Sequence, residues 1–224
     1  PNDSKAIEFK KDGKYYEGLK DFHLNGKRFG AFKRLMEDTL YVNALSILRE
    51  KGAEIVELEE EKLDLPNFLR LLNLDMKKDL PIYLSTSADS LISISSVEDV
   101  IQFNNLDSLM RAPYGQSLFK GIVADNSTEE EFTAIKDTLK TNGRLFFDIP
   151  MKAQNLDGIL SINNYHAGFA AVAEYPAITV PMGYKYNGQP LGLTFISKPL
   201  SEKELLKWAY SYEQASKMRK FPKN

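Results

Sequence analysis

The chain has 224 residues, and its 29 Lys and Arg residues nearly balance 31 Asp and Glu residues, which gives a net charge of -2. This balance argues against a nucleic-acid-binding protein, because such proteins normally carry a strong basic excess. Cysteine is absent, which excludes disulfides, thiolate catalysis and cysteine-based metal sites.

The first third of the chain predicts a strand, a helix and a second strand. Residues 1–25 are polar and predict a surface lead-in, with a turn signal at Asp12-Gly13. Residues 28–32 and 53–58 predict the two strands. A helix over 36–51 is predicted between them by an apolar stripe at helical spacing, formed by Tyr41, Ala44, Leu45 and Leu48. Strand, helix and strand in this order predict a βαβ unit with a partly parallel sheet.

The middle of the chain is helical in pattern. An apolar pattern covers residues 65–84, and a capping box from Ser95 to Glu98 predicts a helix over 97–103. Overlapping boxes at Ser127 and Thr128 predict a further helix that runs to about Lys140 and ends at Asn142-Gly143.

The last third predicts strands at 159–162, 177–180 and 191–196. Ser201 is the predicted cap of a final helix, whose apolar stripe consists of Leu205, Trp208, Ala209 and Tyr212. The whole pattern predicts an α/β fold with a mixed β-sheet flanked by helices, as one unit over residues 1–224.

The sequence shows no segment that predicts membrane insertion or secretion. No apolar run approaches the roughly 20 residues that a spanning helix needs, and the start has no signal-peptide pattern. Together with the absent cysteines, this favours a cytoplasmic protein. The chain begins at Pro1 without Met, so we expect residues to precede it.

Residue chemistry alone predicts no active site. The serine elbow G-x-S-x-G is absent, and Ser117 to Lys120 match S-x-x-K, a pattern short enough to arise by chance. His23 and His166 have no partner at metal-ligand spacing. We expect His166 to be a packed or hydrogen-bonded side chain and the acidic run 57–61 to be a solvated strand end.

Several segments in order resemble the C-terminal part of the amidase-signature family. They are residues 156–165 (LDGILSINNY), 171–183 (AVAEYPAITVPMG), 188–196 (GQPLGLTFI) and 201–219. Residues 25–30 (NGKRFG) and 101–104 (IQFN) also have counterparts in that family. The resemblance implies a partial amidase-signature fold.

Members of this family cleave carboxamide C–N bonds with a Ser–Ser–Lys triad, through an acyl-enzyme and without metal or cofactor. The triad lies in a Gly/Ser-rich half that the resemblance places upstream of this chain. The resemblance therefore implies no catalytic residue and no metal site in this chain, which we expect to be inactive alone.

The resemblance implies that this chain contributes to the wall of a substrate pocket. The implied wall residues are Asn163, Asn164, Tyr165, Gly168, Tyr114 and Gln116. A strand-end cap is the alternative role for Asn163, since a carboxamide also bonds backbone groups well. Packing is the alternative for Tyr114 and Gln116.

Three functions remain open from the sequence. The first is the C-terminal part of an amidase that acts on a small-molecule amide. The second is part of a protein like the amidase-related subunit of glutamyl-tRNA(Gln) amidotransferase, although Asn163 stands near the place where those relatives carry an acidic residue. The third is a non-catalytic module that binds a ligand or partner.

A half-domain would expose an edge strand and an apolar face. We therefore expect the missing N-terminal half or a second copy in a homodimer to cover these surfaces. We expect neither nucleic acid nor a membrane as a partner.

Overall fold

The computed structural model describes residues 14–221, so the turn predicted at Asp12-Gly13 lies outside the described residues. The chain divides into two compact units. The first unit comprises Pro1–Leu63 and Gly143–Asn224, and the second unit comprises Asp64–Asn142. The single unit expected over residues 1–224 stays a prediction.

The first unit contains a five-stranded mixed sheet, as the sequence predicted. Its strands are β1 (Arg28–Phe32), β2 (Glu54–Leu58), β3 (Gly158–Ile162), β4 (Ala177–Tyr184) and β5 (Pro190–Ile196). They lie in the order β2-β1-β3-β5-β4. β1 is parallel to both β2 and β3, whereas β5 is antiparallel to β3 and β4.

The helices follow in chain order, and one of them belongs to both units. A 3₁₀ helix (Lys33–Glu37) precedes α1 (Thr39–Glu50), and the remaining helices are α2 (Phe68–Ser87), α3 (Val97–Asn105), α4 (Ser108–Arg111), α5 (Ser117–Ala124), α6 (Glu129–Ala153), α7 (Ala167–Ala173) and α8 (Glu202–Ser216). The boundary between the units falls within α6. The sequence patterns did not predict the short helices α4, α5 and α7.

The predicted βαβ unit is formed by β1, α1 and β2, and its helix starts later than expected. The carboxylate of Asp38 accepts hydrogen bonds from the backbone N–H groups of Leu40 and Tyr41, at 2.9 and 3.2 Å. This N-cap fixes the start of α1 at Thr39 instead of residue 36. At the other end, Gly52 has a positive φ of 91°, the conformation that commonly follows a helix C-terminus.

The core of the first unit lies between the sheet and the predicted helix stripes. The stripe residues of α1 and α8 are all buried, namely Tyr41, Ala44, Leu45, Leu48, Leu205, Trp208, Ala209 and Tyr212. The Tyr41 hydroxyl donates a 3.0 Å hydrogen bond to the Leu160 carbonyl of β3, so its polar atom is satisfied inside the core.

The predicted stop of α6 at Asn142-Gly143 is wrong, because the helix continues to Ala153. Gly143 serves a close approach of backbone segments instead. A Cβ atom added there would lie 2.8 Å from the Phe169 carbonyl oxygen and 2.9 Å from the Ala173 nitrogen, both on α7. Glycine is therefore required by packing, not by helix termination.

One predicted helix cap differs in position from the structure, and another lacks its hydrogen bond. The cap of α3 is Ser96, whose hydroxyl accepts from the Asp99 N–H at 3.1 Å, one residue later than the predicted Ser95. Ser201 is the N-cap residue of α8, as predicted, but its side chain makes no cap hydrogen bond. The capping box of α6 is confirmed for Thr128 and Glu131, since each side chain accepts from the other's backbone N–H.

The second unit is helical. Arg70 pairs with Asp125 at 2.8 Å, and Lys77 donates to the carbonyls of Val123 and Asp125, so α2 is tied to the end of α5. Helix α2 also exposes large apolar side chains, namely Leu69, Leu72, Met76, Ile82 and Tyr83. A homodimer stays a prediction.

Candidate active site

The carboxyl ends of β1, β2 and β3 meet at one edge of the sheet, because these three neighbouring strands are parallel. Arg34 follows β1 and Glu60 follows β2 by two residues each. The turn 163–166 follows β3. Ligands of open α/β sheets commonly bind at this kind of edge.

His166 lies at the centre of this edge and is 2% exposed. Its Nδ1 is 2.7 Å from the Ser161 hydroxyl, and its Nε2 is 3.2 Å from Glu60 Oε1. The rings of Phe32 and Phe146 pack against the imidazole, with centroids at 4.8 and 5.5 Å. The packed, hydrogen-bonded histidine that the sequence predicted is confirmed.

The partners of His166 determine its tautomer. A hydrogen bond from Arg34 is the largest of the effects that lower the pKa of Glu60, which is therefore ionised at neutral pH. An ionised carboxylate only accepts hydrogen bonds, so His166 carries its proton on Nε2, and Nδ1 accepts from the Ser161 hydroxyl. Burial lowers the pKa of His166, with the hydrogen bond to Glu60 opposing this effect, and the ring is neutral.

Ser161, His166 and Glu60 form a hydrogen-bonded row, and Arg34 is bound at its exposed end. Its Nε and Nη2 atoms bind the two oxygens of Glu60, at 2.5 and 3.1 Å, in the bidentate geometry that suits a guanidinium. The side chain is nevertheless 57% exposed. The hydrogen bond to Glu60 raises the pKa of Arg34, and Tyr165 lies within electrostatic range of the guanidinium.

The row of Ser161, His166 and Glu60 has the composition of a hydrolytic triad but lacks its accessibility. Ser161 is fully buried within β3, so a substrate carbonyl has no route to its hydroxyl. A nucleophile must come within about 3–3.5 Å of the reacting atom. The row therefore holds the sheet edge in place and does not supply a nucleophile.

The predicted wall residues of the first unit lie in the chain on both sides of His166, after β3. The Oδ1 atom of Asn163 accepts from the Gly192 N–H at 2.7 Å, and its backbone N–H donates to the Gly192 carbonyl at 2.9 Å. The side chain thus acts as the strand-end cap that was the alternative. Asn164 and Tyr165 are exposed, and Gly168 is half-buried at the start of α7.

Tyr114 and Gln116 belong to the second unit. Tyr114 is fully exposed, whereas Gln116 bonds the side chains of Asn104 and Asn105, at 3.1 and 2.8 Å. Their grouping with Asn163 in one pocket stays a prediction. Ser117 and Lys120 of the S-x-x-K match are both exposed on α5.

Comparisons with known proteins agree with this architecture. A probable amidase of Arabidopsis thaliana is 27% identical over 97% of this chain and 44% of its own length. An amidase family protein from Bacillus anthracis matches with a TM-score of 0.85 and 30% identity over 94% of this chain and 42% of its own. A peptide amidase from Stenotrophomonas maltophilia matches with a TM-score of 0.75 and 28% identity over 88% and 44%. No family model matches.

These similarities indicate a fragment of an amidase-signature protein. The chain spans less than half the length of these relatives. A shorter match links this chain to a glutamyl-tRNA(Gln) amidotransferase subunit of Ruminiclostridium cellulolyticum, with 48% identity over 42 residues, which is 19% of this chain and 9% of that protein.

The sequence did not identify Arg34, Glu60 and Ser161 as members of the candidate site. Glu60 was interpreted as part of a solvated strand end, whereas it binds both Arg34 and His166. The sequence signal that could have found Arg34 and Glu60 is their position, since each stands two residues past a parallel strand.

Among residues 14–221, no group of three or more metal-ligating side chains occurs. None of the helices in this range has both the length and the apolar character that a membrane span requires.

Acidification is expected to destabilise this chain in two stages. Burial lowers the pKa of His166 below its ordinary 6.5, so below pH 6.5 the unfolded chain binds a proton that the folded chain excludes. Stability then falls with pH by up to about 1.4 kcal/mol per unit. The Arg34 hydrogen bond lowers the pKa of Glu60 below 4.5, so its contribution is present above pH 4.5 and is lost as pH falls further.

Urea unfolding between pH 7.5 and 5 measures the first stage. The His166→Gln variant keeps His23 and should show a flatter profile between pH 6.5 and 5. An equal slope in both proteins would assign the effect to groups other than His166.

Proposed function

We propose that this chain is the C-terminal part of an amide hydrolase, whose intact form cleaves the C–N bond of a small-molecule carboxamide. In this proposal a Ser–Ser–Lys triad upstream of Pro1 performs the chemistry, and the present chain supplies part of the substrate pocket. The observation that carries the proposal is the similarity to amidases over nearly the whole chain, with 97% coverage by the Arabidopsis relative.

The carboxyl edge of the first unit supports the same role. Arg34, Asn164 and Tyr165 are exposed there on a scaffold fixed by buried hydrogen bonds. Rigidly held residues on strand ends suit substrate positioning, which contributes to catalysis without any covalent role. Tyr114 and Gln116 are proposed as further wall residues from the second unit.

An amidotransferase component is the second candidate function. The 42-residue match to the Ruminiclostridium protein favours it locally, but the match covers a fifth of the chain, whereas the amidase similarity covers nearly all of it. Asn163 also has its Oδ1 engaged by Gly192, and a neutral amide there lacks the charge that would pair with the ammonium of glutamine.

The chain alone is expected to show no turnover of a simple aryl amide, because no side chain combines nucleophile, base and access among the described residues. The test compares this chain with a longer protein that includes the codons upstream of Pro1. Activity is expected only in the longer protein, provided that those codons encode a Gly/Ser-rich segment with a preceding lysine.

A Ser117→Ala variant is the critical control, with Ser108→Ala as its match, because both serines are exposed first residues of short helices. Turnover by this chain that Ser117→Ala abolishes and Ser108→Ala preserves would overturn the proposal and favour the S-x-x-K site. A start codon close to Pro1 would favour the non-catalytic binding module.

A further inference from the structure

The hydrogen-bonded row at the carboxyl edge has a direction, from the buried Ser161 to the exposed Arg34. The Ser161 hydroxyl donates to His166 Nδ1, and His166 Nε2–H donates to Glu60 Oε1. Glu60 then accepts from Arg34 through both of its oxygens. One buried ring therefore connects β3, the residues after β2 and the residues after β1.

Glu60 needs the histidine to hold a fixed position. The carboxylate is 26% exposed, and a surface Arg–Glu pair alone contributes little, because two long side chains lose conformational entropy when they are held together. A donor from a ring that is nearly fully buried removes that freedom from Glu60. The contact between Arg34 Nη2 and His166 Nε2, at 3.5 Å, joins two nitrogen atoms that both carry hydrogen, so Glu60 is what links them.

The N–H groups of the Arg34 guanidinium that Glu60 does not bind are available to a ligand. Glu60 occupies Nε and one hydrogen of Nη2, which leaves the two hydrogens of Nη1 and the other hydrogen of Nη2. These groups only donate. They lie on a side chain that is 57% exposed, so they suit an acceptor oxygen of a ligand, either a carbonyl or a carboxylate.

We propose that His166 is a positioning residue that fixes the guanidinium of Arg34 through Glu60, and that Arg34 thereby recognises an acceptor oxygen of the substrate outside the scissile amide. The identity of that ligand as a substrate rests on the proposed function. The positioning itself is a property of this chain and is measured without activity.

The test uses two substitutions of similar size. The side-chain nitrogen of Gln reaches the position of His Nε2, whereas that of Asn reaches only the position of Nδ1. His166→Gln therefore keeps the donor to Glu60, and His166→Asn loses it. The readout is hydrogen exchange of the Arg34 Nε–H, followed by NMR on the present chain.

Exchange is expected to be about tenfold faster in His166→Asn, the factor for loss of one charge-assisted hydrogen bond, and close to wild type in His166→Gln. The Nε–H of Arg144 is the matched control, because it donates to the Ala173 carbonyl and its guanidinium pairs with Glu174 in the same unit without a histidine. Its exchange should not change in either variant.

Equal exchange rates of the Arg34 Nε–H in the two variants, whether fast or slow, would overturn the positioning role. An effect of packing alone would be the same in both variants. Should either variant fail to fold, the nitrogen chemical shifts of wild-type His166 decide. A protonated Nε2 with an unprotonated Nδ1 supports the proposal, and a protonated Nδ1 overturns it.

Recognition is tested in the longer, active protein. His166→Asn should raise KM about tenfold with kcat unchanged, and His166→Gln should not, because the interaction is made equally in the ground and transition states. An unchanged KM in His166→Asn would overturn recognition by Arg34. Absence of amidase activity would count against the proposed function and would leave the exchange result standing.

Discussion

Replacing Trp208 with alanine is expected to lower the free energy of unfolding by about 3–5 kcal/mol, the usual cost of truncating a buried aromatic side chain. The indole is 2% exposed and meets the ring of Phe29 edge to face, with centroids 5.0 Å apart. Phe29 in turn packs on Phe195 at 5.8 Å. The substitution would therefore open a cavity that three elements share, namely β1, β5 and α8.

The backbone around Trp208 cannot collapse freely into that cavity. Gly158 of β3 faces the indole, and a Cβ atom added there would lie 3.0 Å from the ring. Closing the gap would require β3 to move, although this strand pairs with both β1 and β5. The cost should lie in the upper part of the range, since it depends on how well the site relaxes.

Chemical denaturation of the two variants Trp208→Ala and Trp208→Phe measures this prediction. Phenylalanine keeps most of the packing, and it also removes the indole Nε1–H, which is buried without a hydrogen-bond partner among the described residues. Its cost should therefore be below about 1.5 kcal/mol. A loss under about 1 kcal/mol for Trp208→Ala would show that the aromatic cluster contributes little to stability.

Replacing Gly143 with alanine is expected to destabilise the first unit by about 1–3 kcal/mol, as for other overpacked sites. In an exposed helix interior the same change would stabilise by roughly 1 kcal/mol, because alanine has the higher helix propensity. Here the added methyl group would meet the α7 backbone at the Phe169 carbonyl and the Ala173 nitrogen. The sign of the effect therefore separates packing from propensity.

A matched control for Gly143→Ala is Gly121→Ala in α5. Gly121 has no atom within 4 Å of an added Cβ, so this variant should be neutral or slightly more stable. Thermal unfolding of both variants gives the comparison. Stabilisation by Gly143→Ala would contradict the close approach of α7.

Helix periodicity predicted the core, whereas the glycine at position 143 did not mark the end of a helix. The stripes of α1 and α8 were read from spacing, because one buried face repeats every three to four residues. Gly143 was misinterpreted, since a glycine ends a helix or admits a neighbouring backbone, and only tertiary structure distinguishes the two roles. The missing α7 is seven residues long, too short for a clear period.

The candidate site was only partly predictable. The resemblance pointed to the turn after β3. The side chain of Asn163 makes the hydrogen bond of a strand-end cap, and its place in a pocket wall stays a prediction. The hydrogen-bonded row could not be found by spacing, because His166 is five residues from Ser161 but 106 residues from Glu60. Sequence patterns report neighbours along one element, whereas this row joins three.

The pairing of β1 with β3 has a consequence for synthesis on the ribosome. Phe29 pairs with Gly158, and nearly all of the intervening chain, including the whole second unit, emerges between them. β1 can pair with β2 early, but its other edge stays open until β3 leaves the exit tunnel. An unpaired strand edge in a nascent chain is a site for misassociation, so we expect folding of this sheet to depend on chaperone protection during that interval.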